Sequence, residues 1–236
     1  MNQEVRQGLK DGVPIALGYF SVSFSFGILA LAGGLSVFQA GLTSLTNVTS
    51  AGQFAGLQII IAGGAMVEMV LTQLIINLRY ALMSLSLSQK LDASVTFWQR
   101  LMIAFANTDE IFAVAMAYQK DVTFIYMLGL QSLPILGWTA GTVVGAVAGS
   151  ILPDAVTSAL SVALYGMFIA IVIPVAKKVR PVLFAALLAG AMSCVLYYVP
   201  VFSGISAGVS IIICTVAASV VGAILFPVHE EGGTGE

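Results

Sequence analysis

Long apolar runs with few or no charged residues recur along the chain, and they restrict it to one class of fold. They lie at 13–33, 37–62, 65–86, 100–118, 122–149, 155–174, 181–199 and 204–226. Each is long enough to cross, or to enter deeply, a hydrocarbon layer of roughly 30 Å as a helix. Transmembrane β-strands would instead appear as short alternating segments. The hydrophobic content of 59% also exceeds that of an ordinary soluble domain.

These runs predict an all-α polytopic membrane protein with six to eight membrane segments. We expect a single transmembrane domain at 1–228 and a polar, disordered C-terminal tail at 229–236. The polar N-terminus "MNQEVRQGLKDG" does not have the form of a cleaved signal peptide.

Two of the runs are interrupted by polar residues, at "TNVTSAGQ" within 37–62 and at "NTDE" within 100–118. Unwound backbone at membrane depth survives only against protein or water, because its polar groups need partners. Transporters place such broken helices around substrate and coupling ions. Each break is short and is followed by Phe-Ala, which is compatible with a degenerate internal repeat. The interrupted runs therefore predict two broken or re-entrant helices.

The basic residues leave two topologies open. The connections near 34, 151–154 and 200–203 carry no Lys or Arg. If both interrupted runs re-enter, all positive charges can lie on the cytoplasmic side, with both termini there. If both cross fully, Lys90 and Arg100 lie outside. The tendency of positive loops to stay in the cytoplasm favours the first arrangement mildly.

The first break offers groups that could bind an anion. Asn47, Thr49 and Ser50 carry side chains suited to an N-cap, and Gly52 permits a bend before an apolar half-helix from Gln53. The N-terminus of a helix favours negative charge. We therefore assign these five residues to substrate binding.

The second break carries two acids in an apolar run. Thr108 is suited to an N-cap, and Asp109 and Glu110 follow it in the first turn. One interpretation is helix capping at a membrane surface, with 100–108 outside the bilayer. The other is a functional site, because an acid at membrane depth costs roughly 2.5–3.5 kcal/mol on insertion scales and is usually retained for a role. We favour the second, with Thr108 and Asp109 in substrate binding and Asp109 and Glu110 in proton coupling.

The third span contains Glu68, Asn77 and Arg79. Glu68 and Arg79 lie on nearly the same helix face but about 16 Å apart along the axis, too far for a direct pair. Each needs another partner, such as Asp109, Glu110, substrate or water. Arg79 could equally extend to the membrane interface, and Glu68 could be held by structural polar groups. We assign proton coupling to Glu68 and substrate binding to Asn77.

Glycines at 137, 141, 145 and 149 line one stripe of a helix. Small residues at this spacing let a second helix approach closely in a membrane. We expect tight packing within the chain, with contact to a separate subunit as the alternative.

Other function classes find little support in the sequence. A net charge of −2 gives no reason to expect nucleic acid. The single histidine, His229, lies in the polar tail, and Cys194 and Cys214 lie in apolar runs, so no metal or cofactor is expected. Phosphate-binding and zinc-protease motifs are absent from the sequence, which argues against an enzyme.

Several stretches together resemble the AzlC family, the large subunit of bacterial branched-chain amino acid exporters. They are "GLKDGVPIALGYF", "FGILALAGGLS", "SAGQFAG", "NLRYALMSLSLS", "NTDEIFA" and "GWTAGTVVGAVAG", and the resemblance runs from about residue 8 to residue 226. It makes Asn77, Arg79 and Tyr80 the family's third-span motif and Thr108, Asp109 and Glu110 its acidic break. It implies an efflux permease of the prokaryotic cytoplasmic membrane, driven by the proton gradient, with a small AzlD-type membrane subunit as partner.

The leading hypothesis is export of a zwitterionic apolar amino acid. The helix start after Ser50 would hold the carboxylate, Asp109 or Glu110 would face the ammonium, and Glu68 would carry the coupled proton. The alternative is a passive pore or the membrane component of an ATP-driven transporter.

Overall fold

The computed structural model describes residues 3–151, 169, 172–202 and 204–227, and most of these are helical. Within this described part of the chain, five helices are long and apolar enough to cross a membrane, which confirms the prediction of an all-α polytopic protein. The helices are α1 (Gln3–Ala32), α2 (Val37–Thr46), α3 (Ser50–Ile61), α4 (Met66–Ser88), α5 (Phe97–Phe105), α6 (Asp109–Ala117), α7 (Phe124–Ile151), α8 (Arg180–Tyr198) and α9 (Ala207–Leu225). Most of the predicted span 155–174, and the tail 229–236, lie outside the described residues.

Helices α1 and α7 form the tightly packed centre of the fold. Gly141 and Gly145 of α7 lie directly against the backbone of Phe20 and Phe24 in α1. Gly137 lies in the same way against Ala16, whereas Gly149 has slightly more room beside Ile28. The glycine stripe thus faces another helix of the same chain. The backbones of the two helices can approach this closely because glycine has no side chain.

Helices α5 and α6, with the break at 106–108 between them, form the second hairpin (97–117). Its two ends lie at the same end of the fold. Lys90, which follows α4, donates to the carbonyl oxygens of Met116 and Tyr118, which close α6. The backbone of the preceding loop also bonds that of the following one, through Val122 N to Lys90 O at 3.0 Å. The second hairpin therefore enters and leaves on one side, which is the re-entrant arrangement.

Helices α2 and α3, with the break at 47–49, form the first hairpin (37–61) in the same way. Gly33, in the turn before α2, lies against the side chain of Ile61 at the end of α3. Gly34 and Gly63 adopt φ angles of 90° and 64° in the turns on either side, a backbone region that glycine enters at little cost. Because α4 crosses between the hairpins, they enter from opposite ends of the fold.

The two hairpins begin with the same local motif. Ser36 and Gln39 form a capping box at the start of α2, and Thr96 and Gln99 form one at the start of α5. This reciprocal pairing satisfies backbone N–H groups that the first helical turn leaves free. In both hairpins the same number of residues then leads to an asparagine at the break, Asn47 or Asn107. The likeness supports an internal repeat of inverted orientation, a common design in secondary transporters.

Helix α9 contacts α3, α4 and α8. None of the residues of α8 is buried against the rest of the described chain. The leucines of α4 at 74, 78, 82 and 85 are also exposed. Apolar surface of this extent is expected of helices that face lipid or another membrane protein.

Candidate functional site

The tips of the two hairpins meet at a partly open cavity of about 500 Å³. Its lining combines both tips with α1, α4 and α7, and the walls are mostly apolar. The lining residues are Pro14, Ile15, Gly18, Tyr19, Val22, Val48, Ser50, Ala51, Arg79, Tyr80, Thr108, Asp109, Glu110 and Trp138. Small-molecule sites have this volume and this mixture of apolar walls and few polar groups.

An ion pair crosses the cavity wall between α4 and α6. Nη1 of Arg79 donates to Oδ2 of Asp109 at 2.5 Å, and each of the two side chains is 46% exposed. The guanidinium also lies over the ring of Tyr80, 4.9 Å from its centroid, and donates to the Tyr80 hydroxyl at 3.2 Å. Among the partners that the sequence suggested for Arg79, the one it binds is Asp109 of the second break. Arg79 lies near the middle of α4, about 14 Å along the axis from the C-terminal end of the helix.

A tyrosine of α1 holds the second acid. The Tyr19 hydroxyl donates to Oε2 of Glu110 at 2.6 Å and is also paired with the hydroxyl of Thr108. The Tyr19 ring meets the edge of Trp138 at a centroid distance of 5.4 Å. Thr108 is the N-cap residue of α6, as predicted, but its side chain makes no capping bond to the helix. Its hydroxyl is instead paired with the Tyr19 hydroxyl of α1.

Sequence reasoning did not identify Tyr19, Trp138 or Gly18 as part of this site. An aromatic residue in an apolar span carries no spacing signal that separates a cavity wall from lipid contact. The "GYF" and "GWT" stretches contribute only to the family resemblance. Their place in the cavity follows from the close packing of α1 against α7, which no local pattern reveals.

Only one of the predicted substrate-binding residues of the first break lines the cavity. Ser50 does so, at the first position of α3, and its φ of 27° is uncommon for a residue other than glycine. The prediction that Gly52 supplies the bend before a helix from Gln53 is wrong, because α3 already begins at Ser50 and Gly52 is helical. The chain turns at Asn47–Thr49, where Asn47 caps the end of α2.

Gln53 belongs to a buried polar network rather than to the cavity wall. Its Nε2 donates to Ser44 Oγ at 2.5 Å, and its Oε1 accepts from Trp138 Nε1 at 2.9 Å. Ser44 in turn pairs with Thr142 at 2.6 Å. Because buried polar groups are costly unless they are bonded, this network ties the first hairpin to α7.

Asn47, Thr49, Gly52 and Asn77 lie behind the cavity, on the contact between α3 and α4. The Thr49 hydroxyl donates to Asn47 Oδ1 at 2.8 Å. Asn77 Nδ2 donates to Gln73 Oε1 at 3.0 Å, and Gln73 Nε2 donates to the carbonyl of Gly52 at 2.7 Å. These residues are therefore brought together, but in a separate polar cluster.

Glu68 lies near the other end of α4, away from Asp109 and Glu110. Its Oε1 accepts from Ser206 Oγ at 2.6 Å and from Gly208 N at 2.8 Å, at the start of α9. A carboxylate at this position is stabilised by the free N–H groups and the positive end of a helix. Glu68 does not line the cavity, although the predicted role in proton coupling would require it to lie there.

Several known membrane proteins are similar to this chain in sequence. The family model described as "AzlC protein" matches residues 14–152, which include both hairpins and the whole cavity. The chain is 32% identical over 139 residues to an uncharacterized membrane protein of Archaeoglobus fulgidus, covering 59% of this chain and 60% of that protein. It is 29% identical over 142 residues to the inner membrane protein YgaZ of Escherichia coli, covering 58% of each.

A third relative is an uncharacterized membrane protein of Helicobacter pylori, 29% identical over 152 residues, with 60% of this chain and 66% of that protein covered. The chain thus spans less than two thirds of the length of these relatives. No solved structure matches it significantly. The family match covers more than half of the chain and confirms the resemblance seen in the sequence motifs: the chain belongs to the AzlC family of membrane proteins.

Proposed function

We propose that this protein is a permease that exports a zwitterionic apolar amino acid, with branched-chain amino acids as the best candidates. One observation carries the proposal. Two broken helices, one cationic side chain and two carboxylates border a single cavity of about 500 Å³ with otherwise largely apolar walls. A zwitterion needs a partner for each charge, and an aliphatic side chain needs an apolar wall.

The substrate carboxylate would lie between Arg79 and the first turn of α3. Arg79 presents a guanidinium, whose planar fork matches a carboxylate. Ser50 and Ala51 border the same space at the positive end of the α3 helix. To bind there, the carboxylate must compete with Asp109 for Arg79. Binding would therefore release Asp109 from its ion pair.

The substrate ammonium would face the acids of the second hairpin. Glu110 stays oriented by Tyr19, and Asp109 becomes free once the substrate has replaced it at Arg79. Ile15, Val22 and Trp138 would contact the aliphatic side chain. With Arg79, Asp109 and Glu110 all ionised, the site has a net charge of −1, which leaves one acid to take up a proton. We therefore place proton coupling on Asp109 or Glu110 rather than on Glu68.

The family resemblance also leads us to propose a small AzlD-type membrane subunit as partner, in the prokaryotic cytoplasmic membrane with both termini in the cytoplasm. The re-entrant form of both hairpins supports that orientation, because it collects Lys90, Arg100 and Lys120 near the N-terminus of α1. The exposed surface of α8 is available for such a contact in the described chain.

Flux measured in proteoliposomes with an imposed pH gradient tests the proposal. Leucine, isoleucine and valine should be transported, and Arg79→Gln, Asp109→Asn and Glu110→Gln should each lower the flux about tenfold or more. Arg100→Gln and Asp92→Asn are the matched controls, since both residues lie outside the cavity. Hydrogen bonds from the Ser94 hydroxyl and N–H hold the pKa of Asp92 below its usual range, so it is also an ionised acid.

Three outcomes would contradict the proposal. Full flux in all three cavity variants would remove the assigned roles. Amino acid transport that continues after the proton gradient is collapsed would favour a passive pore. A requirement for ATP and a copurifying ATPase would favour the membrane component of an ATP-driven transporter.

A further inference from the structure

The polar cluster behind the cavity has an unusual concentration of side-chain oxygens. Thr49 Oγ1, Gln73 Oε1 and Asn77 Oδ1 lie 2.7, 2.8 and 3.0 Å from the point where a Cβ on Gly52 would stand. They are the three atoms nearest to that point, outside the glycine's immediate surroundings in the chain. We call these three atoms the oxygen cluster. It lies between the unwound tip of the first hairpin and the middle of α4.

The oxygen cluster has more acceptors than donors. The Thr49 hydroxyl donates its hydrogen bond to Asn47 Oδ1, and Gln73 Nε2 donates to the carbonyl oxygen of Gly52. Asn77 Nδ2 donates to Gln73 Oε1 at 3.0 Å. Asn77 Oδ1 is buried and accepts no hydrogen bond within the described part of the chain. A buried oxygen of this kind costs about 1–3 kcal/mol unless something positive or a donor reaches it.

The chemistry of the cluster favours a monovalent cation. Hard cations take oxygen ligands, and divalent ions in proteins are usually held with carboxylates. The three cluster oxygens are neutral, and none belongs to Asp or Glu. In membrane transporters, unwound backbone and the C-terminal ends of half-helices commonly coordinate Na⁺. Here Asn47 caps the C-terminus of α2 directly beside Thr49.

Access and coupling are both provided by the neighbours of the cluster. Asn47 and Gln73 border a second cavity of about 240 Å³, large enough for an ion that arrives with water. On the other side, Asn77 precedes Arg79 by two residues, and Ser50 lies next to Thr49. An ion at the cluster would therefore hold together the two elements, α3 and α4, that present Ser50 and Arg79 to the main cavity.

We propose that Thr49, Gln73 and Asn77 form a binding site for a small monovalent cation of the Na⁺ type. The site is distinct from the main cavity and goes beyond the amino acid transport proposed above. Occupancy stabilises the junction of the first hairpin with α4.

Thermal stability of the full chain in native-membrane nanodiscs tests this site without any amino acid present. NaCl, LiCl and KCl are compared with choline chloride at equal ionic strength, and binding is followed with radioactive Na⁺. At least one alkali cation should raise the apparent Tm in a saturable manner. Thr49→Val and Asn77→Leu should weaken the apparent affinity about tenfold or more. Asn77→Asp should strengthen it, because a carboxylate replaces a neutral oxygen.

Asn107→Leu is the matched control. Asn107 is a buried asparagine at the break of the second hairpin, and its Oδ1, like that of Asn77, accepts no hydrogen bond within the described residues. This variant should retain the cation effect of the unchanged protein. Equal stability in all four salts would overturn the proposal, and so would a cation effect that survives in both Thr49→Val and Asn77→Leu. In those cases a buried water is the partner of Asn77. The outcome is independent of whether amino acids are transported.

Discussion

The guanidinium of Arg79 and the carboxylate of Asp109 form a 2.5 Å ion pair between α4 and the tip of the second hairpin. Both side chains remain 46% exposed, so water and substrate can reach them. Ion pairs that stay solvated add about 1 kcal/mol or less to stability, because water already screens both charges. The pair is therefore better suited to exchange partners than to hold the fold.

Arg79→Gln, Asp109→Asn and the double variant should separate these two roles. We expect the free energy of unfolding to change by about 1 kcal/mol or less in each single variant. Transport should fall about tenfold or more in each of them. The double variant should be no worse than the poorer single variant, because both remove the same pair. Thermal denaturation and flux measured on the same preparations check this. A large loss of stability with flux unchanged per folded protein would show a structural pair.

Tyr19→Phe should affect function more than its effect on stability suggests. The change removes the hydroxyl that donates to Glu110 at 2.6 Å. Hydrogen bonds to charged groups contribute about 1.5–3 kcal/mol. Tyr126→Phe is the matched control, since its hydroxyl donates to Asp11 at 2.9 Å outside the cavity. Both variants should lose similar stability, but only Tyr19→Phe should alter the pH dependence of flux. Equal transport profiles would refute the role given to Glu110.

Gly18 should determine the size of the transported side chain. It lines the cavity, and a Cβ added there would meet no atom within 4 Å. Gly18→Val is therefore expected to fold and to reduce the cavity volume. Leucine flux should fall relative to alanine flux by about tenfold or more, because the smaller cavity would no longer accommodate the larger side chain of leucine. Gly222→Val, in a similarly open position of α9, should leave that ratio unchanged. An unchanged ratio in Gly18→Val would place the substrate elsewhere.

Glu68→Gln should weaken the fold rather than uncouple transport. The change removes a negative charge from the start of α9, where Glu68 accepts from Ser206 and from the N–H of Gly208. We expect a loss of about 0.3–2 kcal/mol in the free energy of unfolding. Flux per folded protein should keep its dependence on the pH gradient. Loss of that dependence would restore proton coupling to Glu68.

Gly145→Ala and Gly149→Ala should differ sharply although both lie on one stripe. A Cβ on Gly145 would overlap the backbone of Phe24, whereas on Gly149 it would make an ordinary 3.4 Å contact with Ile28. Overpacking of this kind costs about 1–3 kcal/mol. Thermal denaturation should therefore show a loss for Gly145→Ala and little change for Gly149→Ala. The same Tm for both would mean that α1 and α7 separate easily.

Sequence reasoning located both hairpin breaks because polar residues at membrane depth are conspicuous. It also required a partner for Arg79, since an isolated charge is costly there. Whether the broken segments cross or re-enter could not be read in this way, because it depends on contacts such as Lys90 with Met116. The position of Glu68 was equally inaccessible. Its partner Ser206 is remote in sequence, and a single helix does not show which distant segment meets each of its ends.

The repeat was harder to recognise because it is carried by geometry. Ser36 and Thr96 differ, as do most residues after them, and only the capping box and the distance to Asn47 and Asn107 agree. The number of residues from the helix start to the break is kept although the residues differ. This number sets how far the tip of each hairpin reaches into the fold.

The two hairpins also constrain how the chain is assembled. Helices of nine to twelve residues are too short to cross a bilayer by themselves. Their exposed tips would be costly in lipid, so a hairpin can settle only where longer helices already offer it a protein wall. The first hairpin rests on α7, which is synthesised long after it. The first hairpin also contacts α1 and α4, so these helices provide part of its protein wall before α7 is made. That wall is complete only once α7 has been inserted, and the packing of the first hairpin is therefore finished late in synthesis.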